Sequence, residues 1–249
     1  MLYYRMKEFN GAFDDFTRAI QLNPNDPIHY YNRGNISRRR GNYSEALKDY
    51  DRALELNANF SQVLTMRGAT YFEIEEFEKA IADCERSIAL DPSDNCNLLV
   101  RGKSYFKSGN LIAAFADLMD YLKTEQNNSD ALSYLVKLYK IMKQFDTAYE
   151  FLLHIGEIEG LSFENVYERA ECLEEMKNYP LAIKHWTAIM DNEPQNPRIM
   201  EILLRRGQCY MENKEFSNAI KDFQSVIEST SSENELKESA KQLIQACEQ

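Results

Sequence analysis

The sequence predicts an all-α fold, a solenoid of stacked antiparallel helix pairs, on three observations. Alanine recurs every 34 residues at Ala12, Ala46, Ala80, Ala114, Ala148 and Ala182, and Ala219 follows after 37. An aromatic residue or leucine stands three positions before each alanine (Phe9, Tyr43, Phe77, Leu111, Phe145, Tyr179, Phe216), and a mostly bulky residue stands four after it (Phe16, Tyr50, Cys84, Leu118, Leu152, Trp186, Phe223). Glycine fills a third column at Gly34, Gly68, Gly102 and Gly207, with Val136 and Ala170 at the same phase in between. Self-similarity at a fixed period of roughly 20–50 residues marks a repeat architecture.

Each column has a physical task. A Gly or Ala at a helix crossing lets two axes approach, and the large residues beside it fill the remaining space. Pro24, Pro92 and Pro194, with Ala58 at the same phase, stop the second helix of a unit, because the proline ring cannot continue the hydrogen-bond ladder. Gly41-Asn42 and Gly109-Asn110 mark turns between the two helices of a unit. A unit cannot bury its apolar stripe alone, so neighbours must stack.

The grid divides residues 1–249 into one solenoid. Residues 1–26 form an incomplete first repeat, expected as the end of a first helix running to about Glu8 followed by a second helix around Ala12. Complete repeats follow at 27–60, 61–94, 95–128, 129–162 and 163–196, then an insertion at 197–199 and a seventh repeat at 200–233. Residues 234–248 read as a terminal capping helix with Leu236, Ala240, Leu243, Ile244 and Cys247 on one face. Leu2, Tyr3 and Tyr4 would sit at an open end, either as a frayed turn or as the edge of a longer solenoid.

The pattern resembles the tetratricopeptide repeat (TPR) family. Its W-x₂-L-G-x₂-Y…A-x₃-F…P signature is met by Tyr30, Arg33 and Gly34, then Ala46 and Tyr50, then the proline column, and the likeness runs over nearly the whole chain. The resemblance implies a right-handed superhelix whose first helices line a concave groove, and a protein-binding scaffold or adaptor as the function. By register the groove would present Asn35, Arg38 and Arg39 from repeat two; Thr65, Met66 and Phe72 from repeat three; Leu99, Lys103, Phe106 and Lys107 from repeat four; and Tyr134, Lys137 and Lys140 from repeat five. Repeat six would add Tyr167 with Glu164, Glu168, Glu171, Glu174 and Glu175, and repeat seven Arg205.

The charges on this face are uneven. Six Lys/Arg surround Met66, Phe72, Leu99 and Phe106 in the first part, and five Glu follow in repeat six. The expectation is a basic, apolar-floored stretch for an extended acidic segment of a partner protein, and an acidic stretch for a basic one. Some TPR proteins hold the acidic tails of heat-shock chaperones in a carboxylate clamp of Lys, Asn, Asn, Lys and Arg. The best alignment here places Tyr31, Asn35, Met66, Cys96 and Val100 at those positions, so the clamp is absent. Co-chaperone work by another mode, or service as the non-catalytic arm of a larger protein, are the alternatives.

A second charged pattern lies within the repeats. Arg33, Arg67, Arg101, Arg169 and Arg206 precede the glycine column by one; Asp49, Asp83, Asp117 and Asp222 follow the alanine column by three. Both positions turn apolar together in repeat five, as Leu135 and Phe151, and Arg169 meets His185 in repeat six. The joint loss predicts structural pairing inside each repeat.

Composition excludes several functions. The formal net charge is −11, which opposes general binding to nucleic acid or anionic lipid. No run approaches 18 apolar residues and no signal-peptide core is seen, so no membrane role is expected and the sequons at Asn35, Asn42, Asn59 and Asn127 are expected to stay unmodified. Five cysteines (Cys84, Cys96, Cys172, Cys209, Cys247) contain no C-x-x-C pair, which suggests a reducing, cytoplasmic setting. His29, His154 and His185 share no metal-ligand spacing, and no phosphate loop or nucleophile motif occurs. No cofactor, metal or catalytic activity is therefore expected.

Overall fold

The computed structural model describes residues 2–229 and 234–248, with residues 2–10 described through their backbone alone. Expectations for the side chains of Leu2, Tyr3, Tyr4 and Phe9, and for residues 230–233 at the end of repeat seven, lie outside the described residues. The described residues form fourteen α-helices and no strand. They fall into two compact units, Met1–Gln126 and Asn127–Gln249.

The first unit holds α1 (Leu2–Leu22), α2 (Pro27–Arg39), α3 (Tyr43–Leu56), α4 (Ser61–Glu73), α5 (Phe77–Leu90), α6 (Cys96–Ser108) and α7 (Leu111–Leu122). The second holds α8 (Ser129–Ile141), α9 (Phe145–Glu159), α10 (Phe163–Glu175), α11 (Tyr179–Asn192), α12 (Ile199–Glu212), α13 (Phe216–Glu228) and α14 (Asn234–Cys247). Within each unit every helix packs on the next one in the chain. In the second unit α14 covers α13, with Ala240 buried and Leu236, Leu243, Ile244 and Cys247 against the core around Phe223.

The predicted columns form the core. Ala46, Ala80, Ala114, Ala148, Ala182 and Ala219 are fully buried, as are Tyr50, Cys84, Leu118, Trp186 and Phe223. The fit at the glycine column is close. A Cβ on Gly207 would lie 2.5 Å from Phe223 Cε1, and one on Gly34 would lie 2.8 Å from Tyr50 Cε1. At Gly68, where the facing residue is the small Cys84, the nearest atom is Sγ at 3.2 Å. The missing side chain on one helix thus makes room for the ring on the other.

The turns obey one rule that the sequence reveals only in part. Each of the six complete hairpins puts one residue in the left-handed region: Gly41, Glu75, Gly109, Lys143, Lys177 or Lys214. All six close a Schellman motif. In the first, Asn42 N–H donates to Ser37 O and Gly41 N–H to Arg38 O; in the fifth, Asn178 N–H donates to Leu173 O and Lys177 N–H to Glu174 O. Two of the six use the expected glycine; the other four accept a left-handed L-residue at a cost of about 1–2 kcal/mol, which the packed hairpin offsets. The first repeat differs from expectation. α1 runs unbroken from Leu2 to Leu22, through Lys7, which stands at the left-handed position of the later turns.

The arginine column pairs inside its own repeat. Arg33 grips Asp49, Arg67 grips Asp83, Arg101 grips Asp117 and Arg206 grips Asp222, each through Nε and Nη2 on both carboxylate oxygens at 2.7–2.9 Å. The four aspartates are buried. Arg67 also reaches back to Asp51 of the preceding repeat at 2.6 Å, and Arg206 to Thr187 at 3.0 Å. The pairs therefore link consecutive repeats as well as the two helices of one. In repeat five Leu135 is buried and Phe151 stacks on Tyr139 with ring centroids 5.4 Å apart. In repeat six Arg169 has no aspartate. Its Nη2 donates to the carbonyls of Leu152 at 2.9 Å and Leu153 at 3.3 Å instead of facing His185 directly.

Two predictions follow from these contacts. Gly207→Ala drives a methyl into a buried ring, and overpacking of about 1–3 kcal/mol exceeds the helix-propensity gain of about 1 kcal/mol; Gly68→Ala, facing a thiol, stays within about 1 kcal/mol of the parent on the same grounds. Urea unfolding of the two variants measures the contrast. Asp83→Ala strands Arg67 and costs about 3–5 kcal/mol, whereas Arg67→Leu with Asp83→Phe, the pair that repeat five carries naturally, recovers most of that loss in the same assay.

Candidate functional site

The register-predicted residues of the first unit sit on α2, α4 and α6, with α4 packed between the other two. Asn35 is held from beneath: its Oδ1 accepts from the Tyr50 hydroxyl at 2.7 Å. Burial pushes Tyr50 up to about 12, with the nearby Arg38 charge acting against it. Arg38 is half-buried and Arg39 exposed on the same helix end. Met66 packs on the Ala46–Tyr50 core. Phe72 lies 5.8 Å from the Phe77 ring, and Lys103 of α6 places its Nζ 4.8 Å above Phe72. Leu99 and Phe106 are half-buried and Lys107 is exposed. The structure thus joins Phe72 and Lys103 from successive repeats into one cation–π contact.

Some residues offered by register do not face outward. Thr65 is buried, with its hydroxyl beside Ser87 Oγ at 3.0 Å and donating to Ser61 O at 3.1 Å. Tyr134 and Tyr167 are also buried. The repeat is the same, but the partners differ: Asp94 and Ser87 pull Thr65 into a polar cluster with Asn97. Tyr134 lies under Lys137, whose Nζ is 4.9 Å from its ring.

The second unit carries a network that joins its charges to each other. Lys140 donates to Glu171 at 2.9 Å and lies 3.9 Å from Glu168. Arg205 of α12 reaches Glu171 at 2.7 Å and Glu174 at 2.7 Å, and donates to the Tyr167 hydroxyl at 2.9 Å. Glu174 also accepts from Trp186 Nε1 at 2.7 Å. Tyr167 in turn donates to Glu201 at 2.6 Å, under the guanidinium of Arg198, 3.8 Å from its ring. Burial opposes charge at Glu171, yet hydrogen bonds from Lys140 and Arg205 prevail and hold it below the usual glutamate range. Arg205 is likewise raised: burial works against it and is outweighed by Glu174.

Lys140 and Glu171, expected in opposite parts of the face, are thus partners, and Glu174 is half-buried and bonded to Arg205 and Trp186. Glu168 is half-buried, while Glu175 and Lys137 are exposed. Arg205, placed on this face by register, organises the network. With the register shifted by the insertion at 197–199, Arg205 stands at the position of Tyr134 and Glu168 in the two preceding repeats. Among the described residues no group of His, Cys, Asp and Glu is arranged to hold a metal, and no helix is long and apolar enough to cross a membrane. Cys84, Cys172 and Cys209 are buried, and burial pushes Cys84 up to about 12.

A depressed carboxylate contributes stability above its unfolded value near about 4.3 and loses it as pH falls through its lower folded value. Glu171→Gln is therefore expected to flatten the acid-side loss of stability below about pH 5, read as urea midpoints against pH for both proteins.

Family models with the description tetratricopeptide repeat match residues 27–60 and 61–94, and a second such model matches 167–234. No curated protein matches the sequence. Among solved structures, the C-terminal part of a TPR repeat-containing protein from Cytophaga hutchinsonii is similar at a TM-score of 0.72 and 14% identity, over 96% of each chain. PilW, a type IV pilus biogenesis factor, is similar at a TM-score of 0.69 and 17% identity, over 82% of this chain and 94% of its own. A tetratricopeptide repeat protein from Parabacteroides merdae ATCC 43184 gives 0.60 and 22%, over 99% and 95%. These likenesses show the fold. The repeat matches, which together cover more than half of the chain, show that it belongs to the tetratricopeptide repeat family.

Proposed function

We propose that the chain is a protein-interaction scaffold whose first-unit face, on α2, α4 and α6, holds an extended acidic segment of a partner protein. The observation that carries this reading is Lys103 seated over Phe72, a cation on an aromatic floor built from two successive repeats. Lys107 and Arg39, both exposed, extend the positive charge, and the half-buried Met66, Leu99 and Phe106 supply apolar anchors. An acidic peptide with interspersed apolar side chains satisfies both features, through charge-assisted hydrogen bonds and a few buried anchors. In the second unit Glu168 and Glu175 would take a basic segment, beside the Glu171 that Lys140 and Arg205 already engage. The reading makes the chain a binder and assigns it no catalytic step.

The test is capture of partners from native cells, followed by anisotropy titration of the identified segment. Lys103→Glu with Lys107→Glu is expected to weaken the first-unit complex at least about tenfold, the equivalent of about 1.4 kcal/mol, with a shallower salt dependence. Unchanged affinity for a partner that binds the parent protein removes this reading.

A further inference from the structure

Repeat six carries a cavity of about 550 Å³ that shares no residue with the candidate faces above. Phe163, Val166, Leu181 and Ile189 give it an apolar wall, and Arg169, Lys184 and His185 line it as well. Its one acid, Glu193, is exposed. The cavity lies wholly within the second unit.

What marks it out is the state of Arg169. In four other repeats the same arginine holds an aspartate sixteen residues on through Nε and Nη2. Here position 185 is histidine, and no carboxylate hydrogen-bonds to Arg169 among the described residues. Arg169 is nevertheless only 7% exposed. Nη2 rests on two backbone carbonyls, and Nε is buried with no partner. Gly156 admits this placement, since a Cβ there would stand 2.2 Å from Nη2. His185 cannot replace the aspartate. Burial, then the Arg169 charge, holds its imidazole below the usual range, and its Nε2 lies 3.5 Å from the Tyr149 hydroxyl. Burial disfavours the Arg169 charge, and Tyr149 and Glu157 support it only through space, with no ion pair among the described residues, whereas a planar guanidinium favours a carboxylate held by two nitrogens.

We propose that this cavity binds the carboxylate of an apolar-bodied monocarboxylate, with Arg169 as its counter-ion and the apolar wall around its body. The carboxylate supplies from outside the charge that aspartate supplies in the other repeats. Arg169 lines the cavity, and Lys184, exposed nearby, adds a second cation. A free short-chain acid and the C-terminus of a peptide ending in leucine present the same chemistry. The proposal is independent of the first-unit binding face.

Calorimetric titration of the full chain tests it with two matched pairs of probes: octanoate against octanol, and a hexapeptide ending in leucine as free acid against its C-terminal amide. At least one acid is expected to bind ten times or more tighter than its neutral counterpart, and which pair shows the difference identifies the source. Arg169→Gln is expected to abolish the preference. His185→Asp recreates the internal pair, so it is expected to raise the thermal midpoint while abolishing acid binding, and it keeps the test sound if Arg169→Gln fails to fold. Equal binding of acid and neutral probe in both pairs overturns the proposal, as does His185→Asp that folds and binds the acid as the parent does.

Discussion

Helix pairs close in this chain because one helix lacks bulk where the other carries a buried side chain, a ring at Tyr50, Trp186 and Phe223. Gly34 under Tyr50 and Gly207 under Phe223 leave no room for even a methyl group, and the fully buried alanines hold the opposite side of each crossing. Where the glycine is absent, the partner changes with it: Val136 accompanies Leu152, and Ala170 accompanies Trp186. Burial of one large side chain contributes about 1.5–3 kcal/mol, and such a contact occurs in five of the six complete repeats, Cys84 taking the position in repeat three. The turns, the arginine pairs and the faces of the first helices all depend on this spacing.

The arginine pairs show how a repeated charge can serve geometry. Each guanidinium is forked onto one buried carboxylate, and Arg67 adds a bond to the repeat before it. Such a pair adds little net stability over a well-packed apolar one, as repeat five illustrates with Leu135 and Phe151, but it fixes the angle between two helices. Repeat six breaks the rule in one half only. It keeps the arginine, loses the aspartate and has a cavity that Arg169 lines.

Charge on the second unit is a matter of partners. Repeat six reads as a block of glutamates, yet Glu171 and Glu174 are tied to Lys140 and Arg205 and to the Trp186 indole. In the first unit Lys107 and Arg39 are exposed, and Met66, Leu99 and Phe106 are half-buried. That contrast gives the two units different faces on one repeated scaffold.

By itself the sequence determined the helical class, the buried columns and the pairing of Arg67 with Asp83, because these depend on spacing along the chain and on residue size. Local chemistry told less about the turns: Gly41 and Gly109 were legible, but Glu75, Lys143, Lys177 and Lys214 take the same left-handed conformation only because the hairpin around them is packed. Tertiary structure alone decided that Thr65 and Tyr167 turn inward, that α1 continues past Lys7, and that Arg205 crosses one repeat to neutralise Glu171. The reason is range. A side chain's identity sets what it can bond, but its partner 31 or 34 residues away is chosen by the stacking of folded helices.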